Sequence, residues 1–194
     1  MLERFTDQAR QVVALAQEEA RLMRHAHLGT EHLLVALARV DDDVATPMLA
    51  AHGLSGEQAR AEVVAIVGVG NAEPGGQIPF TPAAHDALDA TLRESLELGH
   101  ERVEPAHLLL GVLRQRDGVA RRVLAGAGAH PTESRAEVER RLAQAGAHPH
   151  EQRRSPQLDG EILLDILERD GAVAAWLRER GVDEHAVRRM LGEP

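Results

Sequence analysis

The chain has no cysteine, no lysine and no tyrosine, and its aromatic residues are two Phe and one Trp. Without Cys there are no disulfides and no thiol chemistry, which suits a reducing compartment. Without Lys there is no P-loop lysine and no Schiff-base amine, so every positive side chain is Arg. With 2% aromatic against 43% hydrophobic residues, small aliphatic side chains must fill the core. They suit closely packed helices better than a sandwich or barrel. A net charge of −9 with no basic cluster argues against a nucleic-acid partner. The apolar runs, Val63–Val67 among them, are far too short to span a membrane. No amino-terminal signal pattern is visible, so a cytoplasmic location with no membrane contact is expected.

What the chain does have is a repetition. Leu28-Gly29-Thr30-Glu31-His32-Leu33-Leu34 returns 75 positions on as Val103-Glu104-Pro105-Ala106-His107-Leu108-Leu109. Laying residues 5–63 over 80–138 without a gap gives 19 identities in 59 positions, Phe5/Phe80, Thr6/Thr81, His25/His100, His32/His107 and Gly53/Gly128 among them. An ungapped repeat of that length means two copies of one supersecondary unit, stacked to bury faces that neither buries alone.

Each unit reads as four helices. Thr6 caps a long first helix with Ala9, Val12, Val13, Ala16 and Ala20 at helical spacing. Thr30 is expected to cap a short, nearly all-apolar second helix ending near Arg39. Asp41-Asp42-Asp43 makes a capping turn for Val44–His52, and Ser55 with Gln58 forms a capping box for Gly56–Val67. The second unit repeats the plan with Thr81-Pro82, Pro105–Leu113, a helix over 117–125 and one over 131–145. The division is therefore 1–146 for the double repeat (1–68 and 79–145, joined by the loop 69–78), then a linker at 147–157. Residues 158–194 read as a partial third helical repeat lacking its long first helix, with Trp176 as the anchor for packing in the same chain or onto another copy. The fold class is all-α.

These residues resemble a known family. Phe5-Thr6 leading into Ala16-Gln17-Glu18-Glu19-Ala20, then Gly29-Thr30-Glu31-His32-Leu33-Leu34, Gly53 and Ile78-Pro79-Phe80-Thr81-Pro82, look like the amino-terminal domain of Clp-type AAA+ unfoldases, nearest the ClpC branch. The resemblance covers about residues 1–145 and implies a pseudo-twofold domain that recruits substrates and adaptors without catalysis. It would stand free of ATPase modules. It further implies two pockets for phosphorylated arginine, each using the Thr that caps a first helix and the Glu of the Gly-Thr-Glu-His motif. By position, the first half keeps Thr6, Thr30 and Glu31. The second keeps Thr81 but has Ala106 in place of the Glu, so its pocket is expected to be dead. A helix start with a Thr hydroxyl suits the anionic end of such a ligand and a carboxylate suits the guanidinium. The resemblance also implies a surface for cyclic peptide antibiotics at Leu2, Gln17, Arg21, Pro79 and Phe80, and hence a decoy role.

Other readings stand beside these. Glu31 at a helix start is also what the helix dipole alone favours. His32 and His107 read best as core histidines bonded to a neighbouring loop. His25, His27 and His32 lack a metal-binding spacing, so no metal and no cofactor is expected. The rivals to a binding module are a scaffold that oligomerises through its tail and, more remotely, a His-dependent hydrolase.

Overall fold

A computed structural model describes residues 4–72 and 78–145. The expected linker at 147–157, the partial repeat at 158–194 with Trp176, and Leu2 lie outside the described residues. Among the described residues eight helices follow in order: α1 (Asp7–Leu22), α2 (Thr30–Leu37), α3 (Ala45–Ala51), α4 (Gly56–Val67), α5 (Pro82–Glu97), α6 (Pro105–Leu113), α7 (Val119–Gly126) and α8 (Pro131–Ala145). They fall into two matched sets of four, and the described residues contain no strand beyond two isolated bridges.

The helix starts are set by local chemistry. Thr6 and Thr81 accept the Ala9 and Ala84 N–H groups at 3.2 and 3.1 Å, satisfying donors that a helix start leaves orphaned. Ser55 and Gln58 form the reciprocal box expected of them. The Asp42 carboxylate accepts from Val44 N–H at 2.9 Å and from Ala45 N–H, so α3 starts at an aspartate turn. The start of α2 differs from the sequence expectation. Gly29, not Thr30, is its N-cap, and Thr30 lies inside the first turn with its side chain buried. The side chain that closes this start is His32, whose Nδ1 accepts the Gly29 N–H at 2.9 Å.

The core is built around the two short helices. Every residue of α6 is buried, and so is every residue of α2 except Glu31. Leu33, Leu34, Leu37, Leu108, Leu109 and Leu110 are fully enclosed, each contributing about 1.5–3 kcal/mol relative to an exposed position. α1 lies on α2 and α5 on α6. The halves then interlock, with α2 against α6 and α7, α4 against α7, and α3 against α8. Gly111 permits the α5–α6 approach, because a Cβ there would come within 2.3 Å of the Ala87 carbonyl oxygen. Contact this close outweighs the helix cost of glycine.

One charged device is built twice. Glu19 of α1 is fully buried; Arg60 of α4 donates to it at 2.7 and 2.6 Å, and Arg39, just past α2, donates as well. Glu94 of α5 is held in the same way by Arg135 at 2.8 and 2.7 Å and by Arg114 at 2.9 Å. Burial pushes each carboxyl up, but the paired arginines outweigh it and hold both below the ordinary range. Each bracket ties the long helix to the end of the short one and to the fourth. Arg60→Met and Arg135→Met each leave a buried carboxylate with one cation instead of two. Each should lower the unfolding free energy by roughly 1–3 kcal/mol, read from urea denaturation. Arg140→Met, which removes only a pair with Glu137 on the surface of α8, should leave the midpoint unchanged; an equal loss in all three would refute the bracket.

Candidate functional site

The interlocked halves exchange their lead-in segments. Thr6 N–H donates to the Val103 carbonyl at 2.9 Å, which sets the start of α1 beside the lead-in of α6. Leu28 N–H donates to the Pro79 carbonyl at 2.8 Å and Thr81 N–H to the Leu28 carbonyl at 2.9 Å, which sets the start of α5 beside the lead-in of α2. Two parallel bridges, Phe5 with Val103 and Leu28 with Phe80, mark these crossings. Each capping threonine therefore faces the motif of the opposite half.

This crossing corrects the grouping by half. Glu31 lines a cavity of about 290 Å³ together with Thr81, not Thr6, and with Arg24, His25, His27 and Asn71. Thr6 sits instead by the second half's motif, where its hydroxyl donates to the Val103 carbonyl at 3.2 Å. Thr30 is not at the site. It is 2% exposed, and its hydroxyl lies against Gly118. The peptide-binding edge also needs correction, because Gln17 is 2% exposed and offers nothing to a surface ligand. α1 is covered by both α2 and α6, so its buried face is wider than the apolar spacing suggests. Arg21 and Phe80 are half-buried and Pro79 is exposed.

The acid at the cavity wall is unusual. The Glu31 side chain is only 13% exposed, and burial pushes its carboxyl up, opposed by its own backbone N–H and by His25. Thr81 accepts from Ala84 and keeps its own proton to give, at the positive end of α5. Arg24 is the residue that sequence reading passed over. It closes α1 at φ 55°, the only non-glycine with positive φ among the described residues, and the matching residue of the second half is Gly99 at φ 71°. A left-handed arginine costs about 1–2 kcal/mol, and strain of this kind collects at functional sites. The signal was in the alignment: arginine where the other copy has glycine.

His25, Glu31 and His32 bring ligand-type atoms within 4.8 Å of one another, yet the ring nitrogens are already engaged. His32 Nδ1 accepts the Gly29 N–H, so its Nε2 carries the proton and donates to His25 Nδ1 at 2.9 Å. His25 Nε2–H then donates to the Gly68 carbonyl at 3.0 Å. The second half repeats the pair, with Glu104 N–H on His107 Nδ1 and His107 Nε2 on His100 Nδ1, both at 2.9 Å. It does so with no carboxylate at 106, so the pair is a structural tie between helix and loop.

A family model described as the Clp repeat (R) N-terminal domain matches residues 4–95 and again 79–162. The chain is 44% identical over 140 residues to chaperone protein ClpC2, chloroplastic, of Oryza sativa subsp. japonica, covering 72% of this chain and 15% of that protein. The figures are the same for chaperone protein ClpC1, chloroplastic, of Arabidopsis thaliana. The chain thus spans about 15% of the length of these curated relatives, whose names place them in chloroplasts. Among solved structures, the N-terminal domain of the caseinolytic protease associated chaperone ClpD from Arabidopsis thaliana matches with a TM-score of 0.61 at 27% identity, covering 73% of this chain and 96% of that one. The Hsp104 N-terminal domain from Candida albicans shares the fold at a TM-score of 0.56 and 17% identity, over 70% of this chain and 89% of that one. Among the described residues no helix is long and apolar enough to cross a membrane.

Burial, and then the neighbouring imidazole, pushes His32 and His107 down to about 4 from an ordinary 6.5. Between those values the unfolded chain takes up protons that the folded one refuses, so stability falls as pH drops through the window. The loss is on the order of 3 kcal/mol per histidine across the full span. Glu31, whose carboxyl is pushed up, acts in the opposite sense, so the profile is cleanest in Glu31→Gln. Urea midpoints measured at constant ionic strength should decline steadily from pH 6.5 to 4, and midpoints flat to pH 5 would refute the neutral pairing.

Proposed function

The chain belongs to the Clp repeat N-terminal domain family, and from that premise we propose that it is a non-catalytic binding module for protein or peptide ligands of a Clp-type unfoldase, substrates and adaptors among them. The proposed site is the cavity between α2 and the start of α5. The observation that carries this reading is Glu31, the one residue of α2 that is only partly buried, standing in a cavity with Thr81. Such an acid gains most from a cation that enters and replaces its lost water.

Opposite charges meet in this cavity. Glu31 accepts a guanidinium, while the Thr81 hydroxyl, the positive end of α5 and Arg24 face an anionic group. A phosphorylated arginine on a marked protein carries both ends in one side chain, which makes it the ligand proposed here. At the other crossing, where Thr6 meets the second half's motif, Ala106 stands in place of this carboxylate and Gly99 in place of Arg24. One such site is therefore proposed among the described residues. The domain division at 146 and a cytoplasmic setting belong to the same proposal.

Calorimetric titration with free phosphoarginine tests it. Glu31→Gln should weaken binding by roughly tenfold or more, as loss of a charge-assisted contact does, with the thermal midpoint unchanged or raised. Arg24→Gly should separate stability from binding, gaining about 0.5–1 kcal/mol by relieving the left-handed turn while losing affinity. Undiminished binding in both variants would refute the site.

A further inference from the structure

Glu31 is held where it is by what its neighbour lacks. A Cβ built on Gly29 would come within 2.3 Å of both Glu31 carboxylate oxygens and 2.5 Å of the carbon between them. The carboxylate therefore lies folded back over the bare Cα of Gly29, in space that any other residue would fill. Glycine is not needed there for its torsion angles. The backbone at Gly29 has φ −101° and ψ 178°, an extended conformation open to any residue. The matching residue of the second half, Glu104, adopts nearly the same angles, φ −106° and ψ 166°.

The second half carries the complementary arrangement. Where the first reads Gly29-Thr30-Glu31, the second reads Glu104-Pro105-Ala106. A side chain at the first position goes with none beyond Cβ at the third, and the bare first position goes with an acid at the third. One copy holds the seat open and fills it from two residues on; the other fills it directly.

We propose that Gly29 is the positioning residue of the Glu31–Thr81 site: its bare Cα is the seat of the Glu31 carboxylate, and the chain permits an acid at the third position only where the first is glycine. This rests on the reading of that cavity as a ligand site, yet the seat is measurable without any ligand. The atom a Cβ would strike is the free end of a flexible side chain, so a larger residue moves the carboxylate and leaves the fold in place. Burial raises the Glu31 carboxyl, and displacement from the seat into water must reverse that.

The test is carboxyl titration by carbon-detected NMR on the full chain. In Gly29→Ala the Glu31 carboxyl should fall to the ordinary range for glutamate, with the thermal midpoint within a few degrees of wild type and affinity for free phosphoarginine weakened as in Glu31→Gln. In the second half, where Ala106 is fully buried, Ala106→Glu should lower the thermal midpoint less when Glu104→Gly is added than when Glu104 is present. An unmoved Glu31 titration in Gly29→Ala would overturn the proposal, and so would an equal loss from Ala106→Glu with and without Glu104→Gly. If the titration moves as expected while phosphoarginine binding ignores both Gly29→Ala and Glu31→Gln, the seat stands and the ligand reading falls.

Discussion

The structure depends on an exchange of backbone hydrogen bonds between its two halves. The residue capping each long helix is bonded to the lead-in of the other half's short helix, Thr6 to Val103 and Thr81 to Leu28. A unit of four small helices with few aromatics cannot enclose α2 or α6 by itself. Crossing the lead-ins brings α2 against α6 and seats the third and fourth helices of one half on those of the other. The same exchange creates the cavity, because it puts an acid from one copy beside a helix start from the other. Neither copy alone contains that combination.

Much of the fold was legible in the sequence. The repeat was ungapped, the caps were good N-cap residues, and glycines stood at matching helix ends, so eight helices were placed close to where they form. The reading of His32 and His107 as core histidines tied to a loop also agrees with the geometry, as Gly68 accepts from His25 in the first half. Less legible was which partner each polar residue takes. Thr6 and Glu31 share a copy and a motif, which suggests a shared pocket, but linear proximity carries no information about a crossed interface. Thr30 had the chemistry of a cap, yet His32 does that work and Thr30 turns inward. Gln17 lay off the apolar stripe of α1 and is buried all the same, because α1 is covered by two helices.

The repeat held more information than its length alone supplies. Three of its charged identities, Glu19/Glu94, Arg39/Arg114 and Arg60/Arg135, are the members of the buried bracket in each half. Two histidine identities form the ring pairs. These five preserved polar pairs are internal struts. The departures from identity are what distinguish the halves at the cavity: arginine against glycine at 24 and 99, glycine against glutamate at 29 and 104, glutamate against alanine at 31 and 106. Agreement between the copies supplies the brackets, the ring pairs and both capping threonines, and disagreement sets one crossing apart from the other.

In the proposed ligand site the first half's acid and the second half's threonine act on one ligand. Methyl-labelled threonine in the full chain allows Thr81 and Thr6 to be followed separately by NMR as phosphoarginine is added. The Thr81 methyl should shift to saturation with the same affinity found by calorimetry while the Thr6 methyl stays in place. Movement of Thr6 with Thr81 unmoved would put the ligand at the other crossing and contradict it.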